Sequence, residues 1–559
     1  MGDDPKLEKK AEESNALSNK CKILIIGAGV AGLSAANHLV KNGCTDFRIL
    51  EARGRIGGRI ISIPIGPQRV ELGANWIHGV LGNPMFELAI ANGLIDIINV
   101  PKPHKVIAAT EQGKQVPFGI LQEIYEAYVC FLRRCEEYFY CQYLPPDDVN
   151  SVGEHINLEA SIYLNNIPES EEKIMRRLIF ECLLKRETCI SGCHSMDEID
   201  LLELGSYTEL QGGNIVLPTG YSSILQPLSK HIPASHILTH HPVKVINWCN
   251  AVSPAAMRSP GGDSGIDDPG NESDDSDKTV IDDSPNASPT AKRKELFKEI
   301  PEKAATNKQM VEVECENGKK FYADHIICTI PLGVLKESAS SMFSPNLPSE
   351  KIEAINRLLF GTVDKIFLHY DRPFLNPTIS EVMLLWEAID DEADVKKNWF
   401  RKIYSFSKVS ETLLLGWISG REAEYMETLP MELVAAKCTE ILRKFLNDPF
   451  VPEPQKCVCT SWHKQDYSKG SYTAIGVGAS QLDIEMISRP CFTDPHQPKP
   501  TLLFAGEHTH SNFYSTVHGA YLTGRTAAQQ VLVPDEREEI VLDCDASDLS
   551  SWIQGMSLS

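Results

Sequence analysis

Two short patterns carry the first chemistry. Gly27-x-Gly29-x-x-Gly32 follows an apolar run at 22–26 and opens a segment with helical apolar spacing through Leu39; a second apolar run, Phe47–Leu50, ends in Glu51, 19 residues beyond Gly32. A strand, a glycine turn and a helix N-terminus together cradle a pyrophosphate: glycines let backbone approach closely, the helix end offers free N–H groups, and an acid closing the next strand accepts ribose hydroxyls. Gly27, Gly29, Ala31, Gly32 and Glu51 are therefore predicted to hold a dinucleotide.

The second pattern is a cation in apolar company. Lys365 stands beside Ile366, Phe367 and Leu368 on a predicted strand over 364–370, where alternation sets Lys365, Phe367 and His369 on one face. An ammonium is costly to bury there without partners. His78, beside Trp76 and Ile77, is a second titratable group in such a setting; pattern alone would read it as a packed core residue.

The chain that must position these residues has 559 amino acids, enough for two or more structural units. With 42% hydrophobic residues it is neither wholly disordered nor collagen-like. Its 54 Lys+Arg against 76 Asp+Glu give a net charge of −22, which argues against nucleic acid as the main ligand and leaves cationic ligands open. No apolar run approaches the roughly 18 residues of a membrane span. The hydrophilic first twenty residues predict no secretory signal, Lys6 stands where a myristoylation motif wants Ser or Thr, and the ending GMSLS is not a Ser-Lys-Leu peroxisomal address. Sixteen cysteines occur without CxxC units; Cys189 with Cys193 and Cys457 with Cys459 lack further ligands at zinc spacing, so reduced thiols, no metal and a cytoplasmic protein are expected. The basic run at 292–294 reads as a solvated patch beside an acidic loop, with a nuclear signal as the alternative.

One stretch departs from the rest. Residues 262–290 carry nine acids against Lys278 alone and almost nothing large and apolar, which predicts a disordered insertion over 252–308. Its flanks, VKVINW at 243–248 and MVEVEC at 310–315, alternate like strands and are predicted to pair as a hairpin, placing the insertion inside a folded domain. Residues 1–20 and 536–559 are expected to be flexible tails, the second one acidic.

Glu51-Ala52-Arg53 with Gly57-Gly58-Arg59, the stretch Phe504-Ala505-Gly506-Glu507, and ADHIICTIPLGVLK at 323–336 together resemble the flavin amine oxidase family. ELGANWIHG at 71–79, HSMDEIDLLELGSYTEL at 194–210, GTVDKIFL at 361–368, KGSY at 469–472 and FYSTVHGA at 513–520 narrow the resemblance to its polyamine oxidase branch, nearest the members that act on spermine. The resemblance spans about 21–535 without the insertion. It implies a two-domain α/β fold: a Rossmann-like FAD domain from 21–90, 214–335 and 455–535, and a mixed-sheet substrate domain with helices from 91–213 and 336–454, the latter including an apolar-periodic stretch at 117–140.

The same resemblance implies bound FAD and an oxidation of spermine by O2 to spermidine, 3-aminopropanal and hydrogen peroxide. Arg59, Asn75, Trp76, Val243, Glu507, Thr516 and Val517 would join the cofactor contacts. Lys365 would hold a water at the flavin ring, and His78 would face the substrate nitrogen. Ser471 replaces the cysteine that bonds flavin in monoamine oxidases, so the FAD should be non-covalent. Tyr472 and Thr516 would face each other across a half-open aromatic cage. Glu198, Asp200 and Glu209 would line the polyamine tunnel, with Glu198 favouring spermine over acetylated polyamines. An N1-acetylpolyamine oxidase of the same fold is the near alternative. A non-catalytic flavoprotein serving as an interaction platform is the distant one.

Overall fold

The computed structural model describes residues 19–95, 105–249, 310–388, 394–493 and 499–532. The expected insertion at 252–308, residues 1–18 and the acidic tail at 536–559 lie outside the described residues. The elements below belong to one unit, formed by 1–249 and 311–559.

The apolar run after residue 20 is the strand Lys20–Ile26, which pairs in parallel with Lys320–Cys328 on one side and Phe47–Leu50 on the other. Covered on both faces, it needs no alternation, and Ile23, Leu24 and Ile25 are fully buried. Each such side chain contributes about 1.5–3 kcal/mol by leaving water. Val243–Asn247 and Val311–Cys315 pair antiparallel, as the alternation of their sequences predicts, and extend this sheet to eight strands. Two strands fall across the expected domain boundaries. Phe343–Ser344 pairs with Val243–Asn247 in this first sheet, and Lys456–Cys459 pairs with Val363–His369 in the second. Both corrections have one cause: hydrogen-bond register, not sequence proximity, decides the sheet a short strand joins.

The turn into the helix Val30–Lys41 uses two glycines for different reasons. Gly27 has φ +100°, and a Cβ on Gly32 would lie 2.0 Å from the Gly27 carbonyl oxygen. The last described helix, Val517–Leu532, crosses Val30–Lys41 closely, with Gly524 pressed on the Ala31 carbonyl.

The second sheet has six strands in the order Lys456–Cys459, Val363–His369, Leu413–Ser419, Ser405–Ser410, Ile379–Leu385, Lys105–Thr110. Three helices, Phe118–Cys141, Val152–Asn165 and Glu171–Ser191, pack with it. The first buries Leu121, Ile124, Tyr128, Phe131 and Cys135, one stripe at helical spacing. Ser151 and Glu154 form a reciprocal capping box on the second, and Gly192 ends the third with φ +74°. Its carbonyl leaves no room for a Cβ on Gly361, so the helix end lies directly against the short strand Leu359–Gly361, which pairs with Tyr472–Ala474. No described helix is long and apolar enough to cross a membrane.

Candidate active site

One cavity of about 980 Å³ runs from the glycine turn to the second sheet. At the turn, Gly27, Gly29 and Ala31 line it, whereas Gly32 lies beneath, packed on Gly27. A Cβ on Gly29 would meet nothing within 4 Å, so the backbone faces open space at the helix N-terminus. Glu51, 5% exposed, accepts the N–H groups of Ala28 and Arg53 at 2.8 Å and is held at the cavity wall beside the turn. Val243 and Thr329 close the same end. Open space over glycine backbone, a helix N-terminus and an anchored acid are the features an FAD diphosphate and ribose require.

Further along, Arg59 donates from Nη1 to the Ser471 carbonyl at 2.7 Å and to Glu507 Oε1 at 3.0 Å. Glu507 also receives Thr473 Oγ1 at 3.2 Å and the Ser515 N–H at 3.1 Å. Burial opposes its charge, but Arg59 and His508 hold its carboxyl below the usual range. Glu507 therefore braces the wall with both oxygens engaged. The Thr516 hydroxyl is likewise used within its own turn, donating to the Phe513 carbonyl and accepting the Gly519 N–H. Asn75, Thr516 and Val517 all line the cavity.

Lys365 stands opposite Trp417 in the second sheet and is 4% exposed. Its Nζ donates to the carbonyls of Glu71 and Gly73, each at 2.7 Å, and lies 4.9 Å over the Trp417 ring. Burial lowers its ammonium from 10.5 to about 7, with Glu71 opposing. Trp76 stacks on Trp417 at 5.7 Å. Ser471 exchanges hydrogen bonds with Val363 through its hydroxyl, which leaves no thiol in the wall.

The rest of the wall carries several carboxylates. His78, on the short strand Ile77–His78, faces Asn214 across an antiparallel pair, with Nδ1 at 3.1 Å from Asn214 Oδ1. Because that oxygen only accepts, the shared hydrogen is on Nδ1, and Nε2 keeps its lone pair. Burial lowers the imidazole pKa, with Asn214 and Glu209 opposing. Tyr472 lines the wall with its hydroxyl donated to the Cys189 carbonyl. Glu209 lines the cavity, as do Glu136, Glu187 and Glu203. Burial raises Glu187 to about 7, with Arg186 pulling it down and Glu136 pushing it up.

Two acids expected in the tunnel have local backbone partners instead of a place in this wall. Glu198 is absent from the wall: its Oε2 accepts the His194 N–H at 2.8 Å and completes a capping box with Ser195 on the turn Met196–Glu198. Asp200 is also elsewhere, with Oδ1 accepting Leu202 and Glu203 N–H groups and Oδ2 accepting that of Gly478. Asp200 has both oxygens on backbone donors, whereas Glu198 places Oε2 alone on them. The acids that sequence reasoning missed, Glu136 and Glu187, sit on separate helices. The spacing of Leu132, Glu136 and Tyr140 along one helix face was the available signal.

A sequence model of the family described as flavin containing amine oxidoreductase matches residues 30–265 and 299–532. Peroxisomal N(1)-acetyl-spermine/spermidine oxidase of Homo sapiens is 32% identical over 533 residues, covering 91% of this chain and 94% of the relative. The Bos taurus protein of the same name is 31% identical with the same coverage. Polyamine oxidase 1 of Oryza sativa subsp. japonica is 26% identical over 92% of this chain and 98% of its own length.

Proposed function

The chain belongs to the flavin containing amine oxidoreductase family, and from that premise we propose that it oxidises polyamines: spermine, O2 and water giving spermidine, 3-aminopropanal and hydrogen peroxide. Its cofactor is FAD, held without a covalent bond. When bound, FAD accepts a hydride from the carbon beside the amine nitrogen.

The observation that carries the reading is the group of glutamates in the cavity wall. Glu136 and Glu209 are exposed, while Glu187 and Glu203 lie half-buried along the wall. A chain of ammonium groups meets carboxylates along such a wall, and the most enclosed of them, Glu187, gains its charge when a cation arrives. His78 offers the Nε2 lone pair to an ammonium proton, leaving the amine neutral with electrons to push. Trp76, Trp417 and Tyr472 restrict water around the reacting carbon. Lys365 has two hydrogens fixed on backbone carbonyls and, in its ammonium form, one left to aim into the cavity.

A second reading is favoured by one observation. Glu198 Oε2 is taken up in its capping box, which supports N1-acetylated polyamines as the competing substrates. The location we propose is the cytoplasm, with the nucleus as the alternative, a reading that the free thiols at every described cysteine support only as a reducing compartment; fractionation that recovers the protein in another compartment would remove it. Anaerobic mixing with spermine should bleach the flavin spectrum. Bleaching by no polyamine would reject the function, and a higher kcat/KM for N1-acetylspermine would move the assignment to the second reading.

A further inference from the structure

Lys365 has a neighbour on the opposite face of its strand that none of the chemistry above uses. Asp364 is fully buried, and the residues that follow it on that face, Ile366 and Leu368, belong to an apolar core. Among the described residues no lysine, arginine or histidine ion-pairs with it. Its Oδ1 accepts the Thr460 hydroxyl at 2.6 Å and the Trp462 N–H at 3.2 Å, whereas Oδ2 meets no N–H or O–H donor. What stands within hydrogen-bonding reach is another carboxyl, that of Glu427, at the end of the helix Gly420–Met426.

Two facing carboxylates with no cation between them repel, and one buried this deeply would carry an uncompensated charge. A single shared proton removes both costs. Glu427 already accepts the His463 N–H at 2.8 Å on one oxygen and the Lys464 N–H at 3.0 Å on the other, so the hydrogen belongs to Asp364. We propose that Asp364 and Glu427 share one proton, and that this acid pair positions Lys365 through Thr460 and Trp462. Burial lifts the Asp364 carboxyl well above the usual range and the Glu427 charge lifts it further, against the pull of Thr460 and Trp462.

The route is a chain of named bonds. The Thr460 hydroxyl that Asp364 holds accepts the Lys365 backbone N–H at 2.8 Å. The Trp462 indole donates to the Leu72 carbonyl at 3.0 Å, and the carbonyls on either side, of Glu71 and Gly73, are the two that hold Lys365 Nζ. Asp364 thus fixes the lysine at its backbone and, through the tryptophan, at its amine acceptors. It is a positioning residue.

Two substitutions of similar size test this. In Asp364→Asn the amide oxygen keeps both acceptor bonds and its NH2 donates to Glu427, so flavin reduction by spermine and its pH profile should stay within about twofold of wild type. Asp364→Leu keeps neither bond, and flavin reduction should slow about tenfold or more with a displaced pH profile. An Asn variant as slow as the Leu variant would overturn the proposal, and so would a Leu variant as fast as wild type. Infrared difference spectra of wild type against Asp364→Asn supply a readout independent of turnover. A protonated carboxylic acid band should be present in wild type at neutral pH and lost in the variant; its absence from wild type would also overturn the proposal. The kinetic arm rests on the proposed amine oxidation, whereas the spectra need no substrate, so failures of the two ideas are distinguishable.

Discussion

Arg59 and Glu507, 448 residues apart in the chain, meet at 3.0 Å in the wall of the cavity. The pair joins the extended glycine motif at 57–59 to the end of the strand Leu502–Phe504, and Glu507 passes the constraint to Thr473 and Ser515. The pair ties two distant segments into one wall.

Replacing Arg59 by Met should leave Glu507 as a buried charge without its cation, at a cost of about 2–4 kcal/mol. Glu507 has a folded pKa below its unfolded one, so its stabilising effect is present above the unfolded pKa and lost as pH falls through the folded value. Without Arg59 that loss should begin at a higher pH. Thermal unfolding of wild type and variant from pH 7 down to pH 4 checks this; superimposable curves would reject it.

Lys365→Met should fold, retain FAD and be slowed in flavin reduction or reoxidation. Its amine titrates near 7 in the folded chain against 10.5 in the open one, so the penalty for burying it is complete below pH 7 and relieved as pH rises towards 10.5. Wild-type stability should gain from that relief over this window, and the Met variant should lack that contribution. Calorimetry at pH 7 and pH 9 reads the difference. Equal pH slopes, or a flavin that reacts at wild-type rates in both half-reactions, would remove the lysine from its role.

Selectivity should follow Glu187 and not Glu198. Glu187→Gln is expected to raise KM for spermine about 10- to 100-fold, roughly 1.4–2.8 kcal/mol, because the enclosed carboxylate is lost. Glu198→Gln should keep its capping box, because an amide oxygen accepts the same backbone N–H groups, and leave the ratio of kcat/KM for spermine and N1-acetylspermine unchanged. A ratio that moves with Glu198 would restore that residue as the discriminator.

Denaturation in acid should release intact yellow FAD into the supernatant, since Ser471 contributes a hydroxyl bonded to Val363 where a covalent link needs a thiol. Flavin retained in the precipitate after washing would contradict this.

The glycine turn and the second strand were legible because their requirements are local: backbone clearance at Gly32 and an acid after Leu50 can be read from spacing. Lys365 was legible as an anomaly, a cation in an apolar strand, and the fold supplied its carbonyl partners from residues 71 and 73. At Glu198 the chain carries a second, local signal: Ser195-x-x-Glu198 is the spacing of a capping box, and that demand takes up Oε2. Glu136 and Glu187 could not be paired from sequence, since 51 positions separate them and only the packing of two helices sets them on one wall.

The position of Lys20–Ile26 has a consequence for how the protein is made. This strand leaves the ribosome first, yet one of its two partners, Lys320–Cys328, follows about 300 residues later, and Leu502–Phe504 later still. At 5–20 residues per second that interval lasts about 15–60 s, during which an apolar strand edge has no mate. Limited proteolysis of ribosome-stalled chains ending before residue 320 should cut near the N-terminus as freely as in an unfolded peptide; protection there would refute the delay.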